Sequence, residues 1–303
     1  MIRAAILFWL MLFLANSALA HDNGRFVEFD IPTAQPIKTP HITIWLPPGY
    51  DTDKRRYGVV YMHDAQNLFF PEKSNFNKVW AADKSALRLI AGNKVAPFII
   101  VGIDHPGKDR MRQYYPRAIL PMLGDGVRRD ALTLMHGEPV ADAYLDFLVH
   151  ELKPKVDHDY RTKRDRKHTA IAGSSMGGLI SLYAITEYPN TFGVAGCVST
   201  HTPLADPEKL GSTNADVIAA WGKYVDRLVG KPGGRRIWFD HGDQTLDAYY
   251  APYQKALDTA LIKAGWKPDK DFSSRTYPGA AHEENAWAAR MDDVFTWMLS
   301  NWK

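Results

Sequence analysis

Five residues constrain the fold of this chain more than any others: Gly173-Ser174-Ser175-Met176-Gly177. They fit G-x-S-x-G, a pattern that alone says little. Their neighbours say more. The apolar run Thr169-Ala170-Ile171-Ala172 precedes them, and the helical run Gly178-Leu179-Ile180-Ser181-Leu182-Tyr183-Ala184 follows. Strand, tight turn, helix is the context of a nucleophile elbow. In so tight a turn, side chains two before and two after the serine would clash, and Gly173 and Gly177 remove them. Ser175 then stands on a strained turn with its hydroxyl exposed, at a helix start whose free N–H groups face developing negative charge. Ser174 is off this register.

A serine hydroxyl needs a base within hydrogen-bond reach, and the base needs an orienting acid. In a fold with such an elbow the chain order is Ser, then Asp or Glu, then His. His201, His241 and His282 follow Ser175. His282 ends Tyr277-Pro278-Gly279-Ala280-Ala281-His282, between the last candidate strand and the last candidate helix, where the base belongs. The stretch from His282 superficially resembles H-E-x-x-H, but position 286 is alanine and the second zinc ligand is missing. For the acid, Asp240, Asp243 and Asp247 compete. The acid must be buried against the imidazole, and the residues alone do not separate Asp243 from Asp247.

Around these motifs short apolar runs alternate with helical patterns. Candidate strands are His41–Leu46, Tyr57–Met62, Pro97–Ile103, Thr169–Ala172, Phe192–Val198, Arg236–Phe239 and Phe272–Tyr277. Continuous apolar runs such as Phe98-Ile99-Ile100-Val101 suit parallel strands covered on both faces. Helical spacing marks Leu145, Leu148 and Leu152, then Leu257, Ala260, Leu261 and Ala264, then Trp287, Met291, Val294, Phe295 and Met298. Gly265 and Pro268 supply a stop signal after the second of these. The alternation predicts one three-layer α/β domain. Gly107–Gly137 and His201–Gly234, rich in Pro, Gly and charge, read as long loop insertions of the kind that form lids. With 46% hydrophobic and 23% charged residues in 303, a sizeable core is available. The single cysteine, Cys197, excludes a disulfide framework, and a net charge of +3 does not point to nucleic acid.

Residues 1–20 have the three parts of a secretory signal peptide: Arg3, the apolar run Ala4–Leu14, and Ala18-Leu19-Ala20 as a cleavage site. That run is shorter than the roughly 20 residues a spanning helix needs, and no later segment is apolar for long enough. The expectation is a leader over 1–20, a single domain over 21–303, a periplasmic or secreted location, and no stable membrane insertion after cleavage.

Taken together, Tyr61-Met62-His63-Asp64-Ala65-Gln66-Asn67-Leu68-Phe69, Gly173–Gly178, Thr245-Leu246-Asp247 and Gly279-Ala280-Ala281-His282-Glu283-Glu284-Asn285-Ala286-Trp287 resemble the Putative esterase (esterase D-like) family. That family includes feruloyl and acetyl-xylan esterases, siderophore esterases, S-formylglutathione hydrolases and mycolyltransferases. The resemblance runs from about Ile42 to Trp302. It implies an α/β-hydrolase fold, a mostly parallel central sheet with helices on both faces, and no metal or other cofactor. It supports Ser175 as nucleophile and His282 as base, and it favours Asp247 over Asp243 as the acid. The oxyanion donors it implies are the backbone N–H groups of Gln66 and Met176. Two departures stand out. The family's D-G is Asp64-Ala65 here, so the turn carrying an oxyanion donor is expected to be reshaped. The family's R-x-x-E-Y-x-P reads Arg110-Met111-Arg112-Gln113-Tyr114-Tyr115-Pro116, with glutamine for glutamate.

The remaining residues take plainer readings. Cys197 is expected as a buried core thiol. His201 is read as a loop residue, with contact to substrate as the second reading. Trp80, Trp221 and Trp287 are candidates for an aromatic binding wall, although such residues more often pack in cores. Arg110 and Arg112 are read as a solvated face, with an acidic substrate as the alternative. The function expected is an exported serine carboxylic-ester hydrolase acting on a small-molecule or carbohydrate-linked ester. An acyltransferase with the same triad and a non-catalytic binding protein are the rivals. The acyl group, the alcohol and the oligomeric state are not legible in the sequence.

Overall fold

The computed structural model describes residues 23–210 and 214–302, so the expected leader over 1–20 lies outside the described residues. Within it the apolar runs are strands: β1 (Arg25–Asp30), β2 (His41–Leu46), β3 (Gly58–His63), β4 (Phe98–Ile103), β5 (Thr169–Ser174), β6 (Val194–Val198), β7 (Arg236–His241) and β8 (Phe272–Thr276). They form one sheet in the order β1-β2-β4-β3-β5-β6-β7-β8. The β1–β2 and β2–β4 pairs are antiparallel and every later pair is parallel. All seven candidate strands appear, with ends moved by at most two residues. β1 had no sequence signal: it is a half-exposed edge strand, Arg-Phe-Val-Glu-Phe-Asp, without the apolar run that marks the others.

Alternate residues of a strand point to opposite faces, and β4 divides accordingly between two cores. Ile99, Val101 and Ile103 pack with Leu145, Leu179, Trp221 and Leu257 on one face. Phe98 and Ile100 pack with Leu89, Met291, Val294 and Phe295 on the other. The helices Ala141–Phe147, Met176–Glu187 and Ala251–Lys263 cover the first face, and Ala82–Ala91 and Glu284–Met298 cover the second. This is the expected α/β-hydrolase arrangement. Among the described residues no helix is long and apolar enough to cross a membrane.

The two presumed loop insertions are corrected. Gly107–Gly137 contains the helices Arg110–Tyr114 and Asp125–Met135, and His201–Gly234 contains Ala215–Tyr224. Their apolar stripes, Val127-Ala131-Met135 and Val217-Ala220-Trp221-Tyr224, have helical spacing and are buried. Interspersed glycine, proline and charge hid that spacing. Asn214 caps the second helix, its side chain accepting from the amides of Asp216 and Val217.

Parallel order puts the carboxyl ends of β3, β5, β6, β7 and β8 along one edge, where ligand sites of open α/β sheets lie. Several residues just past those ends adopt left-handed backbone without being glycine: Asp64, Ser175, Ser199 and Thr245. Each such residue costs on the order of 1–3 kcal/mol, and such strain concentrates at working sites.

Candidate active site

The elbow follows β5. Ser175 has φ 58° and ψ −121° and starts the helix Met176–Glu187. A Cβ on Gly173 would come within 2.8 Å of the Gly177 backbone, so the glycine requirement at 173 is a real close approach. Ser175 N–H donates to the Val198 carbonyl at 2.9 Å, and the Ser175 carbonyl accepts from His201 N–H at 3.1 Å. The turn is therefore tied to the chain leaving β6. Met176 is the first residue of that helix, so its amide has no acceptor within the helix.

That space is a cleft of about 470 Å³ bordered by Ser175, His282, Trp287, Asp64, Arg110 and Phe76, among others. His282 Nδ1 lies 2.6 Å from Asp247 Oδ1. The backbone N–H of His282 donates to Thr245 Oγ1 at 2.8 Å, which fixes the loop behind the ring. Trp287 and Tyr250 meet the imidazole edge to face at 5.1 and 5.6 Å. Asp247 is 1% exposed. Its second oxygen accepts from Ser199 Oγ and from Gly242 N–H, each at 2.6 Å. Burial alone would raise its carboxyl. The hydrogen bond and charge of His282, with the Ser199 and Gly242 donors, overturn that and hold it below the ordinary range. Asp247 thus stays an anion beside the imidazole.

The competing aspartates have other partners. Asp243 is exposed and accepts from Gly279 N–H at 2.7 Å and Gln244 Nε2 at 2.9 Å, so it clasps the His282 loop and leaves the ring to Asp247. Asp240 is fully buried. Its Oδ2 accepts from Trp238 Nε1 at 2.6 Å, and its Oδ1 takes Arg290 at 2.8 and 3.1 Å. Arg290 also donates to Ser199 Oγ at 2.7 Å, and Trp287 Nε1 does so at 3.1 Å. Arginine and indole nitrogens only donate, so the Ser199 hydroxyl proton must point to Asp247. A chain of fixed direction runs from Asp240 and Arg290 through Ser199 to the triad-like pair. The sequence singled out neither Ser199 nor Arg290; each lies more than thirty residues from Asp247 along the chain, and no local pattern marks them.

On the other wall Asp64 (φ 59°) starts the short turn Ala65–Asn67. The expected reshaping at Ala65 needs no glycine conformation, since Asp64 carries the positive φ and Ala65 does not. Gly102 leaves room for the Ala65 methyl: a Cβ there would stand 2.8 Å from it. Gln66 follows Ala65 in this turn. Its side chain straps His105, Nε2 donating to the carbonyl at 3.0 Å and Oε1 accepting the amide at 3.1 Å. Gln66 and the buried Gln113 border a second, polar cavity of about 310 Å³ that shares His105 with the main cleft.

Arg110 does not sit on a solvated face. It borders the cleft and grips both oxygens of Asp64 at 2.7 and 2.8 Å. Burial acts against both charges, yet each partner outweighs it: the Asp64 carboxyl lies below its ordinary range and the Arg110 guanidinium above its own. Arg112 instead donates to the Glu138 carbonyl at 3.2 Å. His201 is not an open loop residue; it is buried, with Nδ1 3.0 Å from Tyr250 Oη and Nε2 3.1 Å from the Ala205 carbonyl. Among the aromatic candidates Trp287 reaches the cleft. Trp80 lies behind it at 5.5 Å, and Trp221 is core, its indole N–H donating to the Thr202 carbonyl. Cys197 is fully buried, and burial pushes its thiol well up. Among the described residues no group of three or more His, Cys, Asp and Glu converges as a metal site.

The family model described as "Putative esterase" matches residues 35–298. The uncharacterized protein YbbA of Bacillus subtilis (strain 168) is 26% identical over 262 residues, covering 84% of this chain and 91% of that protein. An endo-1,4-beta-xylanase/feruloyl esterase of Xylanibacter ruminicola is 26% identical over 199 residues, 64% of this chain but 24% of that longer protein. The crystal structure of an IroE-like serine hydrolase from Shewanella oneidensis superposes with a TM-score of 0.67 at 20% identity, covering 92% of this chain and 81% of that one, which shows the shared fold.

Proposed function

This chain belongs to the Putative esterase family, and from that premise we propose an exported serine carboxylic-ester hydrolase whose triad is Ser175, His282 and Asp247. That the chain is an ester-bond hydrolase follows from the family; the triad, the acyl-enzyme and export are the proposal. The observation that carries it is the Asp247–His282 pair at 2.6 Å, whose imidazole borders the same cleft as the elbow serine. Asp247 is preferred to Asp243 because only the former contacts the imidazole.

In the first half-reaction Ser175 Oγ attacks the ester carbonyl carbon as His282 Nε2 takes the hydroxyl proton. Asp247 holds the imidazole through Nδ1 and stabilises its cation. The backbone N–H groups of Met176 and Gln66 take the oxyanion; for Met176 the support is its place as first residue of the elbow helix. The intermediate collapses, His282 protonates the departing alcohol, and the acyl group remains on Ser175. Water then attacks with His282 as base, and the second collapse frees the acid and returns the proton to Ser175. The substrate class is a small-molecule or carbohydrate-linked ester, supported by the feruloyl esterase name of one relative. The chain is read as a leader over 1–20 and an enzyme domain over 21–303.

Fluorophosphonate labelling read by intact mass tests the nucleophile. Wild type should gain one adduct and Ser175→Ala none. Labelling of both, or of neither, overturns the assignment. The same spectra, taken on protein exported by a bacterial host, should show a chain beginning at His21; an exported chain retaining Met1 overturns the leader.

A further inference from the structure

Among the described residues three large hydrophobic side chains stand open to solvent: Leu228, Ile262 and, furthest out at 87% exposure, Phe76. A lone exposed apolar residue needs no explanation. Leu228 and Ile262 are of that kind: both lie on helical segments, neither has left-handed backbone, and neither borders the cleft. Phe76 differs on each count. It borders the cleft that holds Ser175 and His282. Its backbone, at φ 62° and ψ 19°, lies in left-handed space, where a bulky side chain is an outlier. Asn77 (φ 54°) and Ala81 (φ 50°) share that conformation.

The turn that carries Phe76 is fastened on both sides. Before it, Ser74 N–H and Ser74 Oγ donate to the Pro71 carbonyl at 3.1 and 2.8 Å. After it, Lys78 pairs with Glu283, the neighbour of His282. Trp80 N–H donates to the Asn67 carbonyl at 2.8 Å and Ala82 N–H to the Leu68 carbonyl at 3.1 Å. Trp80 itself is buried against Trp287. A strained backbone is thus held in place around a ring that gains no burial from it. Among the residues lining the cleft, Phe76 and Trp287 are the only apolar side chains. Trp287 is 6% exposed, its ring meets His282 and its N–H is given to Ser199. The apolar surface left for a ligand is therefore chiefly Phe76.

We propose that Phe76 is a specificity-determining residue: its ring is an apolar rest at the rim of the cleft, and it selects esters that carry an extended apolar face over small acetyl esters. The inference rests on this cleft being the ester site. Covering one face of the ring takes apolar surface of both partners out of water. Such a contact is made alike in the ground and transition states, so it should act on KM rather than kcat.

Two ester series test it. One keeps para-nitrophenol and enlarges the acyl group from acetyl to octanoyl and benzoyl. The other keeps acetyl and enlarges the alcohol from ethanol to benzyl alcohol and naphthol. The ratio of kcat/KM in Phe76→Asn to that in wild type cancels differences in ester reactivity. Along one series it should fall about four- to tenfold from the smallest ester to the largest, through KM. The series in which it falls shows whether the ring meets the acyl or the alcohol part. Phe76→Tyr keeps the apolar face and should follow wild type. Asparagine accepts left-handed backbone, so Phe76→Asn should unfold in urea at the wild-type midpoint or above it; Phe76→Gly repeats the measurement if asparagine disturbs the turn. A ratio constant along both series, a loss carried by kcat, or an equal loss in Phe76→Tyr overturns the inference and leaves the ester site standing. Absence of fluorophosphonate labelling in wild type would instead sink the site itself.

Discussion

Arg110 and Arg290 each grip an aspartate with two nitrogens, one pair at the cleft and one behind it. The Arg110–Asp64 pair is at the wall: its side chains are 23% and 8% exposed, and both residues border the space where a substrate would sit. The Arg290–Asp240 pair is sealed at 2% and 0% exposure, and every oxygen of its carboxylate is occupied. The difference lies in the outlets. The front pair faces the cleft directly and can meet a ligand. The rear pair meets only protein and leads through Ser199 to Asp247. The same chemical motif thus lies open to a ligand in one place and is tied through Ser199 to the Asp247–His282 pair in the other.

Cutting the rear chain at its last link should have the largest effect. Asp247→Asn keeps the shape but removes the anion that fixes the imidazole tautomer, and kcat should fall about 10³- to 10⁴-fold. Asp243→Asn, which only loosens the His282 loop, should cost at most a few-fold. Steady-state rates on an activated ester compare the two; a larger loss from Asp243→Asn would reassign the acid.

The two arginines provide the next test. Arg290→Met leaves the Asp240 carboxylate charged and buried, a loss of about 3–5 kcal/mol of stability. Arg110→Met leaves Asp64 beside an open cleft with water at hand, so the stability loss should be smaller, on the order of 1–2 kcal/mol, and KM should rise. Urea unfolding measures both. Equal losses would erase the distinction between sealed and open pairs.

This contrast also explains what the sequence showed and what it hid. The elbow is local: strand, two glycines, helix, all within the nineteen residues Thr169–Glu187, and the physics of tight turns acts over that range. The parallel core strands are local too, because burial on both faces needs an unbroken apolar run. The choice of Asp247 over Asp243 is not. Three aspartates within eight residues differ only in burial and in who approaches them from residues 199, 279, 282 and 290. Arg290 reads as the polar side of an amphipathic helix until the fold turns it inward, and Tyr250 reads as one tyrosine among fourteen. The helices within the two insertions were hidden for a different reason: their stripes are short and interrupted by glycine and charge, so composition outweighed period.

Acid should separate the two pairs further. His63, directly before Asp64, donates to or accepts from Tyr144 Oη at 2.8 Å and has its pKa lowered to about 3, chiefly by burial. A histidine lowered from its unfolded value binds a proton first in the unfolded chain. Stability is therefore complete above about pH 6.5 and falls as pH drops towards the folded value. Between pH 7 and 5 this one group should remove about 2 kcal/mol. In His63→Phe that part of the slope should vanish, seen as a smaller shift in the urea midpoint between the two pH values. An unchanged slope would show that His63 is not the group that drives it, and that the front wall is no more acid-sensitive than the rear.

The finest cut is Ser199→Ala. It removes the one hydroxyl that joins the rear pair to Asp247, while leaving the Arg290–Asp240 contacts and the Asp247–His282 bond in place. Asp247 would keep the Gly242 amide on its second oxygen but lose a donor whose direction Arg290 and Trp287 enforce. The lost hydrogen bond is worth about 1 kcal/mol, so kcat should fall roughly three- to tenfold. The Asp247 carboxyl should also be easier to protonate, since one of the groups that lowers it is gone. The acid limb of the kcat/KM profile should then move to higher pH. A purely structural role for Ser199 would lower stability and leave that limb where it was. Movement of the limb with little change in the unfolding midpoint would mean that the sealed pair acts on the chemistry, although neither of its members borders the cleft.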